Sequence, residues 1–139
     1  MPVAHFSEVV AVNLTAVFQC TSLFIPPMLV RGHGRIINIA SLAARIGGKV
    51  APVHYVSGKA GVLGLTKVVA RELGGTGVTI NAVNPGRFDT QMIRDVPDEV
   101  NKAIAANIPV GRLGLPEDIA KVCLFLASDL ADYLTGTTM

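Results

Sequence analysis

Three residues of this chain carry types and spacings suited to moving a proton: Ser41, Tyr55 and Lys59. Tyr55 and Lys59 stand four positions apart, so on a helix they share one face. A free tyrosine has a pKa of about 10 and is a poor acid–base catalyst at neutral pH. An ammonium one turn away favours the phenolate and draws that pKa toward the working range. A serine hydroxyl donates to the oxygen of a bound carbonyl and orients it. The three together suit protonation or deprotonation of a carbonyl or alcohol oxygen. They supply no hydride, so a redox reaction built on them requires a cofactor.

The elements around them must bring these groups to one place. Arg35 to Ala40 reads as a strand, short and β-branched at Ile36, Ile37 and Ile39. Its lack of clean alternation fits a central parallel strand. Gly77 to Val83 reads as a second strand, and His54 to Leu73, rich in Gly, Ala and Ser, as the helix between them. Strand, helix, strand in that order is a βαβ unit with a parallel pair. Ligands of open parallel sheets bind beyond the carboxyl ends of the strands. Ser41 ends the first strand, Pro85-Gly86 ends the second, and Tyr55 and Lys59 open the helix.

The remaining segments frame that edge. Phe6 to about Val30 reads as a long helix opened by Ser7 and Glu8, with Pro26-Pro27 kinking it or ending its regular bonding. Leu42 to Val53 is an irregular loop. Arg87 to Asp98 is a polar, Pro-punctuated lid in which Met92 and Ile93 hint at an apolar pocket, and Glu99 to Asn107 a short helix. Pro116 starts a helix to about Ala127, with Glu117 and Asp118 in its first turn. Tyr133 to Met139 begins something extended. Apolar residues surround most of the helix 54–73, so it is buried on more than one side, against the sheet and against a second subunit. Two parallel strands do not cover such helices, which reads as part of a larger α/β domain.

Composition narrows the function classes. The chain has 139 residues, half of them apolar and 16% charged, which bounds 1–139 to one globular domain and not two, here read as a partial one. Net charge is +2 and no basic cluster appears, so no nucleic-acid footprint is expected. His54 beside Tyr55 reads as a helix-start residue, and no metal-ligating cluster is apparent. Cys20 and Cys123 lie among apolar neighbours and read as reduced core residues of a cytoplasmic protein. No signal peptide is evident. With Leu23 to Val30 broken by Pro26-Pro27, no run reaches the ~18 apolar residues of a membrane span.

The order of these motifs resembles the carboxyl-terminal portion of a classical short-chain dehydrogenase/reductase, close in pattern to 3-oxoacyl reductases. The matching stretches are N-L-T-A-V-F from Asn13, G-R-I-I-N-I-A-S from Gly34 and Y-V-S-G-K-A-G-V-L-G-L-T-K from Tyr55. They continue with V-T-I-N-A-V-N-P-G from Val78, P-V-G-R-L-G-L-P-E-D-I-A from Pro109 and F-L-A-S-D from Phe125. The resemblance implies a partial, doubly wound Rossmann-like sheet with flanking helices, lacking the amino-terminal strands and the last strand. It implies an NAD(P)-dependent oxidoreductase interconverting a carbonyl and a secondary alcohol, with no nucleic-acid or membrane partner. It also implies a homodimer or homotetramer through the helices 6–30 and 54–73.

By the same resemblance, Asn13 matches the helix Asn that holds a water in a proton relay to the Lys. Ser41 matches the substrate-orienting Ser, Tyr55 the acid–base Tyr, and Lys59 the Lys that binds the nicotinamide ribose. Pro85 and Gly86 match the turn beside the nicotinamide, Phe88 the residue whose backbone meets the carboxamide, and Thr90 a hydroxyl contacting it. The family's T-G-x-x-x-G-x-G turn and N-N-A-G strand end do not occur here, so the cofactor reads as NAD or NADP. Ser41 and Tyr55 are 14 apart where many members have 13. An alternative reading follows from the missing phosphate cradle: a truncated chain without activity alone, serving at most as an association module.

Overall fold

In the computed structural model, residues 1–48, 51–91 and 96–139 are described; Met92 and Ile93 of the expected lid lie outside them. The core is a parallel pair of strands, β1 (Gly34–Ile39) and β2 (Val78–Val83), in register from Gly34 opposite Val78 to Ile39 opposite Val83. Helix α4 (Val53–Glu72) connects them, completing the βαβ unit. The chain from Thr135 to Met139 runs along the other edge of β2. Gly136 N donates to Ile80 O, Ala82 N to Thr137 O and Met139 N to Ala82 O. A single parallel bridge joins Ala82 to Thr138.

Side-chain alternation along the strands builds three layers. On one face, Ile36, Val78 and Ile80 pack with Val69, Ala70 and Leu73 of α4 and its C-cap, and with Ile25 and Met28 of α2 (Ala16–Arg31). On the other, Ile37 and Val83 pack with Leu126, Ile119 and Val122 of α6 (Pro116–Ala127). Ile80 and Leu126 are fully buried. Burial of such a side chain stabilises by roughly 1.5–3 kcal/mol. A parallel pair covered on both faces explains why its sequence does not alternate between apolar and polar residues.

A buried polar contact fixes how α4 lies on β1. Asn38 Nδ2 donates to Thr66 Oγ1 at 3.0 Å, and Thr66 Oγ1 donates to Val62 O at 2.8 Å. Both residues are buried. Thr66→Val keeps the shape but leaves the Asn38 amide without its acceptor. Urea unfolding is expected to show a loss of about 1–3 kcal/mol for this variant, with Thr66→Ser close to wild type.

The amino-terminal helix departs from expectation in three ways. It starts at Val3, after the extended Pro2, and is one continuous rod: α1 (Val3–Val10), a π-helical turn at Ala11–Thr15, then α2. Pro26 and Pro27 neither end it nor stop it short of Arg31. Both prolines, and Ser22 and Leu23 whose carbonyls lose a donor, are exposed, so the freed carbonyls are not sealed inside the core. Gly32, at φ 64°, closes the helix. Because the prolines do not break it, Val3–Arg31 is one helix whose length and mean hydropathy, 1.7, are shared by core helices of globular proteins and by membrane-crossing ones, although no unbroken run of 18 apolar residues lies within it. Its α1 portion packs on α4 and its α2 portion on β1, although little of its apolar surface is buried within the chain.

Smaller corrections follow. The loop after β1 contains a one-turn helix, α3 (Ala43–Ile46), and the helix after the lid, α5, spans Asp98–Ala106. Cys20 is exposed and not a core residue, whereas Cys123 is half-buried and packs at the border of the Val83–Leu126 cluster; both are free thiols.

Candidate active site

Ser41 is held at the strand ends by its neighbours. Ala40 N donates to Val83 O at 2.8 Å, and Leu42 N donates to Pro85 O at 2.9 Å. Ser41 therefore sits between two ties to the carboxyl end of β2, beside the Pro85-Gly86 turn. Its Oγ accepts the Ala43 N–H at 3.2 Å.

Pro52, extended at φ −70°, precedes α4, which places Tyr55 and Lys59 in the first two turns. Lys59 Nζ lies 5.9 Å from the centre of the Tyr55 ring. The same ammonium donates to Ile39 O at 2.9 Å, at the carboxyl end of β1. Helix and strand end are thus joined at the residue pair expected to handle protons. Partial burial lowers the Lys59 pKa from its ordinary value, because the charged form loses hydration.

Asn13 reaches this edge through the π-helical turn. Its Nδ2 donates to Val9 O at 3.0 Å, the acceptor its own N–H would take in a regular α-helix. It packs directly on Gly58, whose neighbour is Lys59. A β-carbon at Gly58 would stand 3.0 Å from Asn13 Cβ. Close approach of the two helices here depends on a residue without a side chain. His54 lies in the first turn of α4, as expected, its ring set edge-on at 4.9 Å from His5.

Pro85, Gly86, Phe88 and Thr90 line one cleft of about 410 Å³, with Arg87, Pro116 and Ile119. Phe88 is bridged to Gly114: Gly114 N donates to Arg87 O at 3.1 Å and Asp89 N to Gly114 O at 2.8 Å. In that pattern the flanking residues carry the bonds, and the N–H and C=O of Phe88 itself are directed away from Gly114. A second, larger cavity of about 690 Å³ lies between Leu42, Phe88, Ile104 and Ile108.

The structure thus brings Ser41, Pro85 and Gly86 together, and separately joins Tyr55, Lys59 and Asn13 through α4. The Lys59–Ile39 bond connects the two groups. The close helix contact expected of the small residues in α4 is met at Gly58 by Asn13. Sequence reasoning missed the residues that brace the cleft: Gly114, and the pair Arg112 and Asp118. Arg112 donates to Asp118 at 2.7 and 3.2 Å, and Asp118 Oδ2 accepts the Leu115 N–H at 2.9 Å. The Arg112 and Leu115 donors hold the Asp118 carboxyl down to about 2. The acidic first turn of α6 was visible in the sequence; that its carboxylate reaches back to Arg112 was not. Among the described residues no three metal-ligating side chains meet.

Comparison with known proteins adds to this geometry. The family model described as enoyl-(acyl carrier protein) reductase matches residues 1–139. An acetoacetyl-CoA reductase of Rhizobium meliloti is 46% identical over 136 residues, 97% of this chain and 56% of the relative. A 3-oxoacyl-[acyl-carrier protein] reductase of Brucella melitensis, solved with bound NAD, superposes with a TM-score of 0.91 at 34% identity. It is covered to 51% of its length by the whole of this chain. A Beutenbergia cavernae protein described as an NAD(P) dependent gluconate 5-dehydrogenase, with NADP bound at low occupancy, superposes with a TM-score of 0.92 at 38% identity. All of this chain covers 56% of it. The chain thus spans about half the length of the relatives it matches.

Proposed function

The chain belongs to the short-chain dehydrogenase/reductase family, and from that premise we propose that it forms the catalytic edge of an NAD(P)-dependent oxidoreductase interconverting a carbonyl and a secondary alcohol. The observation that carries this reading is the Lys59–Ile39 bond. It sets the Tyr55–Lys59 face of α4 against the strand end that leads into Ser41.

The described residues fit the nicotinamide end of such a cofactor. Gly86, Phe88 and Thr90 share a cleft, and the backbone edge of Phe88 is turned away from its bridge to Gly114. That edge offers one donor and one acceptor to a primary amide, and the Thr90 hydroxyl adds another group of either kind. Two structures of similar proteins hold NAD and NADP respectively. When bound, the nicotinamide supplies or accepts the hydride.

The roles of the chain's own residues then follow. Ser41 Oγ donates to the carbonyl oxygen of the substrate and fixes its direction. Tyr55 gives its phenolic proton to that oxygen during reduction and takes it back during oxidation. Lys59 stabilises the negative charge left on the phenol oxygen and bonds the ribose hydroxyls. Asn13, fixed in the π-helical turn against Gly58, orders a water that returns a proton toward Lys59. The exposed apolar faces of α1–α2 and α4, with Phe18, Leu23, Phe24 and Val68 on them, support self-association of the chain through the helices 6–30 and 54–73.

Titration of the purified chain with NADH and NADPH, followed by nicotinamide fluorescence, tests the cofactor reading. Saturable enhancement with either one is expected. A linear response to both, from a chain whose circular dichroism shows a folded α/β protein, would sink it.

A further inference from the structure

We propose that Asp118 is a positioning residue for the nicotinamide-facing edge of Phe88, acting through the 112–115 ribbon. This rests on the cofactor reading given above.

The chain of contacts is continuous. Asp118 sits in the first turn of α6 and accepts three donors: both terminal nitrogens of Arg112 and the Leu115 N–H. Asp118 N in turn donates to Leu115 O at 2.9 Å, closing a reciprocal cap. Arg112 and Leu115 flank Gly114 on either side, so the carboxylate pins both ends of the ribbon that carries Gly114. Gly114 then holds the cleft by its N–H to Arg87 O and its C=O to Asp89 N. It also holds it by contact with the Phe88 ring, whose edge atoms would stand 2.4–2.6 Å from a β-carbon at Gly114.

This arrangement decides where the backbone edge of Phe88 points, an edge that takes no main-chain partner among the described residues. Arg87 and Asp89 are fixed by Gly114, and the peptide groups between them are therefore fixed in rotation. Arg87 has a further tie, Nη2 to Asn101 Oδ1, but at 3.4 Å it is long and comes from the side of α5. The Asp118 cluster has shorter bonds, starts from a packed helix, and reaches the backbone itself. A carboxylate accepting two guanidinium bonds and a main-chain bond makes a stiff joint. Displacing a binding edge by a fraction of an ångström is enough to weaken a directional hydrogen bond.

The test uses the full 139-residue chain, with reduced nicotinamide mononucleotide as the probe and amide hydrogen exchange at Asp89 and Gly114 as the structural readout. Asp118→Ala is expected to speed exchange at both amides at least tenfold and to weaken probe binding about tenfold, with the α/β circular dichroism retained. Arg112→Gln, which leaves the Leu115 cap in place, is expected to do the same to a smaller degree. Should it fold where Asp118→Ala does not, it carries the test. Restoration of binding by Asp118→Glu, in which a carboxylate is again within reach of Arg112, would further support a positioning role. Faster exchange with unchanged probe affinity overturns the proposal and leaves the cofactor reading standing. Unchanged exchange in both variants overturns it as well. A wild-type chain that does not bind the probe overturns the cofactor reading and this inference with it.

Discussion

Tyr55→Phe is expected to slow carbonyl reduction by about 10²- to 10⁴-fold in any active form of the protein, the span typical of losing a positioned general acid. The change removes one oxygen and nothing else. Tyr55 is half-buried in the first turn of α4, and its ring keeps its contact with Lys59 in the variant. The elements that hold it, the α4–β2 packing and the Lys59–Ile39 bond, do not involve the hydroxyl. The melting temperature and nicotinamide affinity are therefore expected to stay near wild type while kcat falls. Steady-state rates, cofactor titration and thermal unfolding of the one variant separate these. Turnover within a few-fold of wild type would mean that some other group delivers the proton.

Gly77→Ala is expected to be the most destabilising Gly→Ala change among the described residues, at about 3 kcal/mol or more. Two separate costs combine. Gly77 has φ of +79°, a left-handed conformation that disfavours any β-carbon. The added carbon would also stand 2.1 Å from the Gly32 carbonyl oxygen and 3.0 Å from its carbon. These are backbone atoms, and no rotamer change moves them aside. Gly32 caps α2 and Gly77 leads into β2, so relief requires one of the two strand-start turns to open. Thermal and urea unfolding check this, with Gly75→Ala as the comparison. Gly75 has nearly the same φ, +77°, but open space around it. A similar loss in both variants would show that backbone conformation alone accounts for the effect.

The parts of this fold that were legible in the sequence are those fixed by local chemistry. Helix α6 runs from Pro116 to Ala127 as read, because Pro at the first position and two carboxylates in the first turn mark its start without outside help. Strand β2 and helix α4 fall within a residue or two of expectation for similar reasons. The amino-terminal helix was misread because the penalty for Pro26 and Pro27 depends on whether water reaches the freed carbonyls, and that is a tertiary fact. Apolar neighbours in sequence do not put Cys20 in the core, because its side of the helix is exposed. The π-helical turn at Ala11–Thr15 adds a residue to one turn and rotates everything after it, which no periodicity count anticipates.

The site divides the same way. Ser41, Tyr55, Lys59 and the Pro85-Gly86 turn were legible because each stands at a strand end or a helix start. Gly114 acts across a non-local contact with Arg87 and Asp89, and Asp118 through a side-chain contact six residues back, to Arg112. Their residue types alone say nothing of those partners. The glycine at 58 shows the reverse limit. A small residue in a helix costs stability locally, and only the opposing Asn13 explains why it is there.

The register of the sheet has a kinetic consequence. Gly34 pairs with Val78 and Ile39 with Val83, so each rung of the ladder joins positions separated by the whole of α3, α4 and their loops. Such a ladder cannot zip from a hairpin. The entropy of closing the intervening chain is lost before the first rung forms, and parallel pairings of this kind are slow for that reason. Helix α4 shortens the effective gap once it forms, since twenty residues then move as one rigid spacer. The helix that presents Tyr55 and Lys59 is thereby also the element whose early formation sets how fast the two strands can find each other.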